Sequence, residues 1–107
     1  MARVVITASA DSDAAAIVSD LTAKAGIHVA NRFADDFDAF YRRLELFPES
    51  GALRPRLGPL VRIGVVAPYA IIHEYVAVDD VVTIMRIVHG RRRITPHMLI
   101  RPTPIES

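Results

Sequence analysis

Between Pro48 and Pro59 the chain changes its hydrophobic period, and that switch constrains the fold more than any other feature. Before it, Ile27, Ala30, Phe33, Ala34, Phe37, Phe40, Tyr41 and Leu44 recur in steps of three and one. That spacing lays one broad apolar stripe along a helix, with Asp35, Asp36, Asp38, Arg42, Arg43 and Glu45 mostly off it. All four phenylalanines fall between positions 33 and 47, and an aromatic face at this period packs inward. After the switch come three strand-like runs, Leu60–Ala67, Tyr69–Val78 and Val81–His89, joined by turns at Pro68 and at Asp79-Asp80. Connections so short make neighbouring strands antiparallel. The third run is apolar on both faces, as in a central strand covered on each side. Arg86 interrupts one of those faces and needs a partner or a route to water.

The N-terminal part completes the pattern. Arg3–Ala8 reads as a first strand. Ser9 or Asp11 then supplies a helix cap, and Ala14, Ile17, Val18, Leu21 and Ala25 continue at helical spacing from about Asp11. Gly26 stops that helix and Pro48 stops the next, so the two form a hairpin. The segment Pro48–Pro59, with three prolines and two glycines, reads as a loop. The order is therefore β-α-α-β-β-β, an α+β fold with the helical hairpin packed on a mainly antiparallel sheet. At 107 residues there is room for one domain, expected over residues 1–95 and followed by a proline-rich C-terminal tail, 96–107.

Composition narrows the function by exclusion. There is no cysteine, so disulfide scaffolds and zinc–thiolate sites are out. His28, His73, His89 and His97 lack metal-ligand spacing, so no metal and no cofactor are expected. Neither a signal-peptide pattern nor a membrane-length apolar run is present, and a cytoplasmic location without membrane contact is expected. The net charge of +1 conceals an asymmetry: residues 1–50 carry five basic and eight acidic groups, residues 51–107 eight basic and four acidic. Twelve of the thirteen basic residues are arginine, whose planar fork of donors suits carboxylates and phosphates. A coding bias toward arginine accounts for the usage as well as an anionic partner does, but not for the clustering. The sharpest cluster is Arg91-Arg92-Arg93 beside His89, a basic patch at a strand end that fits an acidic protein surface or a nucleic-acid backbone.

Several segments together resemble the ParE branch of the RelE/ParE toxin superfamily. They are Ala8–Asp13, Gly26, Ala30-Asn31-Arg32-Phe33, Leu46-Phe47-Pro48-Glu49-Ser50-Gly51 with Arg54-Pro55, and Arg62. Pro68-Tyr69-Ala70-Ile71-Ile72 and the closing Ile84-Met85-Arg86-Ile87-Val88-His89-Gly90-Arg91-Arg92 complete the set. The resemblance implies the toxin of a type II toxin–antitoxin pair, with a growth-inhibiting and plasmid-stabilising role. Such a toxin inhibits DNA gyrase by direct binding, without catalytic residues. A ParD-like cognate antitoxin holds it inactive, and DNA is touched only through that antitoxin. On this reading His89, Arg91, Arg92 and Arg93 bind the target. Arg62 and Arg86 serve as antitoxin anchors, with Arg86 paired to a carboxylate of the antitoxin or of this chain, Glu74 being a candidate.

The alternative is a RelE-like toxin that cuts messenger RNA on the ribosome. That chemistry needs a general acid or base and groups that stabilise a phosphorane. Arg54 and Arg56 in the loop bind phosphate but stay protonated. Ala70 follows Tyr69 where ribonuclease relatives place arginine, and no tyrosine follows Tyr75. His89 and His97 keep acid–base chemistry open.

Overall fold

The computed structural model describes residues 1–99. β1 (Arg3–Ile6) leads into α1 (Ala8–Ala25) and α2 (Ile27–Leu46). Then follow β2 (Ala52–Leu53), β3 (Val61–Val66), β4 (Tyr69–Val76), β5 (Val81–His89) and a 3-10 turn at Pro96–Leu99. The strands form one sheet in the order β1-β5-β4-β3-β2. β1 runs parallel to β5 and the other neighbours are antiparallel. The expected α+β architecture is present. β2 is an addition, two residues paired to Arg62 and Ile63 inside the segment expected to be a loop.

The helix cap differs from the expectation of Ser9 or Asp11. Thr7 caps α1, its hydroxyl accepting from the Ala10 amide at 3.1 Å. The same hydroxyl faces the carbonyl oxygens of Ile84 and Met85 at 2.9 and 3.1 Å. The selection of Thr7 is therefore tertiary: Ser9 and Asp11 are equally good cap types, but only Thr7 also reaches β5. The helix starts at Ala8 and the first strand stops at Ile6. At the other end of α1, Gly26 adopts φ +94° and is at once the last cap of α1 and the first of α2. Its amide donates to Thr22 O and its carbonyl accepts from Ala30. A side chain is strained at that φ, which is why glycine joins two helices without a loop.

The hairpin covers one sheet face. Ala10 of α1 and Phe37 and Leu44 of α2 are buried against Ile71, Val82, Ile84 and Ile87, with Phe40, Tyr41 and Tyr69 packed at the margin. Ile27, the first residue of the predicted stripe, is instead 52% exposed, because α2 begins there and has not yet reached the sheet. Phe40 lies over Gly64 of β3, where a Cβ would meet Phe40 Cε1 at 2.7 Å. The helix thus approaches the sheet as closely as a residue without a side chain allows.

The opposite face is covered differently. Val61, Ala70, Ile72 and Val88 form a second buried cluster, closed by Leu57 from the loop and by Ile94, Met98 and Leu99 from the C-terminal arm. β5 is thus apolar on both faces because both are covered, as its sequence suggests. The β4 run ends at Val76 rather than Val78, and Ala77–Asp80 form the turn. Within the expected tail, Met98 and Leu99 pack on the sheet; 100–107 lie outside the described residues.

Candidate functional site

β1 is shorter than β5, and the site begins from that mismatch. The parallel pairing stops at Ile6↔Ile84, while β5 continues to His89. Beyond Ile84 the outer edge of β5 needs hydrogen-bond partners. α1 supplies one: the Asp13 carboxylate accepts from the Ile87 amide at 3.0 Å. It also accepts from Arg86 Nε at 2.7 Å and Nη2 at 3.1 Å. The sheet register slips at this place, opposite Ile72/His73 of β4. The partner of Arg86 is therefore Asp13, not Glu74. With side chains 22% and 18% exposed, the two-point contact is sheltered and charge-assisted. The hydrogen-bonded carboxylate raises the pKa of Arg86 above its ordinary value, so it is a permanent cation.

Arg86 also reaches in the other direction, its Nη1 3.4 Å from Met98 O. One guanidinium thus connects α1 to the C-terminal arm. The arm leaves β5 through Gly90, whose amide donates to Pro68 O at 2.7 Å, and it returns across the second face to the 3-10 turn. On that path it carries Arg92, Arg93 and Ile94 toward the loop after β2. The result is a cleft of about 550 Å³ lined by Arg54, Pro55, Arg56, Leu57, Ile63, Arg92, Arg93, Ile94 and Pro96. The four arginines are exposed, while Leu57, Ile63 and Ile94 are half-buried and continue the second core cluster. Among the described residues no carboxylate forms an ion pair with any of the four; the salt bridges there are Lys24–Asp20 and Arg86–Asp13.

The structure divides the sequence-predicted quartet. Arg92 and Arg93 line the cleft. His89 lies on the helix-covered face, its ring 5.9 Å from Tyr69, which in turn packs edge-on against Phe33 and Phe37. Arg91 gives its backbone amide to His89 Nδ1 at 3.1 Å, and its side chain is outside the cleft lining. Arg54 and Arg56, read from sequence only as loop cations, complete the cleft instead. The available signal was their repeat of the arginine clustering seen at Arg91–Arg93; what no sequence shows is that the two clusters meet. Arg62 has an internal task too. Its Nη1 donates to Glu49 O at 2.7 Å and Gly51 O at 3.0 Å, pinning the chain between α2 and β2.

His73 pins that segment from beneath. It is fully buried, with Nε2 3.1 Å from Ser50 O and Nδ1 3.0 Å from Ile71 O, and its ring meets Phe40 edge-on. Burial lowers its pKa; the two carbonyl contacts act the other way and the neighbouring Arg62 adds to the lowering. A neutral imidazole has one N–H for two carbonyls, so this histidine is structural and strained in its hydrogen bonding. Among the described residues no group of three His, Asp or Glu stands close enough to hold a metal ion. No helix there is long and apolar enough to cross a membrane.

A helical hairpin on a five-stranded mixed sheet, with an arginine-lined recess on the face away from the helices, defines a small α+β protein. Residues 4–94 match the family model described as the ParE toxin of the type II toxin–antitoxin system, parDE, and the chain belongs to that family. It is the toxin half of such a pair. Among solved structures the chain is similar to one described as the chromosomal ParDE TA system from P. aeruginosa. The match has 23% identity and a TM-score of 0.70, and covers 83% of this chain and 96% of that one. At that identity the likeness speaks for the fold. No curated protein matches the sequence.

Proposed function

We propose that this toxin is neutralised by a ParD-like antitoxin and that, released, it inhibits DNA gyrase by direct binding in the cytoplasm rather than by catalysis. The observation that carries the reading is the chemistry of the cleft. Its lining is arginine, proline, leucine and isoleucine. Arginine binds anions but does not exchange protons near neutral pH, so the recess favours holding a partner over general acid–base chemistry. Arg92 and Arg93, with Arg54 and Arg56, are proposed as target contacts, while His89 and Arg91 stand apart from them. Arg62 and Arg86 spend donors on Glu49, Gly51, Asp13 and Met98, so they are proposed to shape the surface an antitoxin meets rather than to grip it.

The test is a supercoiling assay with purified toxin. Inhibition of gyrase that disappears on adding the antitoxin is expected. Undisturbed supercoiling, together with messenger RNA cut only in the presence of ribosomes, would overturn the proposal in favour of the endoribonuclease reading.

A further inference from the structure

We infer that the four-arginine cleft recognises an acidic, aliphatic stretch of polypeptide, not the phosphate backbone of nucleic acid. This deepens the proposed function, on which it rests, by naming which part of the target the toxin holds: protein surface rather than the DNA bound to it.

Three features of the cleft carry the inference. The first is charge: Arg54 and Arg56 stand on one wall and Arg92 and Arg93 on the other, with no ion-pair partner among the described residues. Either carboxylate or phosphate satisfies such donors. The second is the floor. Leu57, Ile63 and Ile94 are half-buried there, flanked by Pro55 and Pro96, so a bound partner must offer apolar side chains between its charges to displace water. A peptide alternating acidic and aliphatic residues does this in extended form, since successive side chains point to opposite sides. The third is composition: the lining contains no aromatic residue. Proteins that hold single-stranded nucleic acid depend on aromatic stacking in a basic groove, and here the groove lacks stacking platforms. The chain's tyrosines and phenylalanines near the sheet are committed elsewhere, as in the Phe33–Tyr69–Phe37 group under the helices.

The two walls come from segments far apart in sequence, and Arg86 anchors the arm that carries Arg92 and Arg93, its guanidinium reaching Met98 O and the Asp13 carboxylate of α1. It acts as a positioning residue for the cleft without facing into it.

The experiment measures fluorescence anisotropy of the full chain with three labelled probes: a short peptide alternating Glu and Leu, a peptide alternating Glu and Ser, and an oligothymidine of matched charge. The Glu–Leu peptide is expected to bind most tightly. Arg56→Gln and Arg93→Gln are each expected to weaken it roughly two- to five-fold, and Leu57→Ser to weaken it while leaving the response to salt unchanged. Tighter binding of the oligothymidine would overturn the inference in favour of nucleic acid. Equal binding of both peptides, or indifference to the arginine changes, would overturn it as well. Supercoiling assays on the same variants separate the two levels. Gyrase inhibition that survives loss of peptide binding removes the cleft and leaves the toxin reading intact. Peptide binding without any effect on gyrase removes the proposed target.

Discussion

Asp13 shows how one side chain can finish a strand that another strand leaves incomplete. Its carboxylate takes three donors, two from Arg86 and one from the Ile87 amide. Replacing it with alanine leaves a sheltered guanidinium and a β5 amide without their acceptor, at a cost of about 1–3 kcal/mol. Asp13→Asn retains an acceptor and should cost less. Urea denaturation of the two variants checks this, and an alanine variant as stable as the parent would show that water replaces the carboxylate without penalty. In the sequence Asp13 is one acidic residue near the expected start of a helix, where a helix-dipole role explains it well enough. Its partner lies 73 residues away. Arg86 announced that it needed a partner, because a cation in an apolar run always does. The identity of that partner depended on how far β1 extends along β5, which no local pattern encodes.

At the level of elements, hydrophobic period told nearly everything about type and order and little about ends. The helical stripe and the three strand runs are where the sequence puts them, because burial enforces the same periodicity over many residues at once. Boundaries rest on single contacts. Thr7 is selected over Ser9 and Asp11 by carbonyls of β5, and β2 exists because two residues happen to meet Arg62 and Ile63. The candidate site was legible only in halves, since Arg92-Arg93 and Arg54/Arg56 each stand out as clusters and only the returning arm joins them. The contact of α2 with β3 yields a sharper expectation. Gly64 lies under the Phe40 ring, so Gly64→Ala forces the ring or the helix outward. A loss of about 1–3 kcal/mol is expected, read as a lowered thermal midpoint. In a Phe40→Leu background the same change should cost less, because the ring it collides with is gone. Equal penalties in both backgrounds would refute the packing explanation.

For the molecule as a whole, the balance of charge and the response to pH follow from where groups lie. Asp11, Asp20, Asp35, Asp36 and Asp38 are exposed on the helical hairpin beside Lys24, Arg32, Arg42 and Arg43, and the cleft arginines lie on the face away from it. The near-neutral total thus combines a net acidic hairpin with an arginine-lined cleft on the other side of the sheet. Stability should fall in mild acid through His73. Its folded pKa lies below the ordinary 6.5, so as pH falls the unfolded chain takes up a proton before the folded one does. The stabilisation is complete above 6.5 and declines below it until the folded histidine also titrates. Thermal unfolding between about pH 5 and about pH 8 should show this slope, and His73→Gln should flatten it. A slope of unchanged steepness in the variant would assign it to other groups.

The two faces of the sheet are protected by very different amounts of chain. On one side lie two helices of 18 and 20 residues. On the other, Val61, Ala70, Ile72 and Val88 are shielded by Leu57 and by a few residues near the end of the described chain, Ile94, Met98 and Leu99. Removing the chain from Ile94 onward would uncover a contiguous apolar patch on a β-sheet, the kind of surface that drives aggregation. The arm from Arg92 to Leu99 is therefore a solubility device as well as one wall of the cleft, and losing it would convert a folded domain into a sticky one.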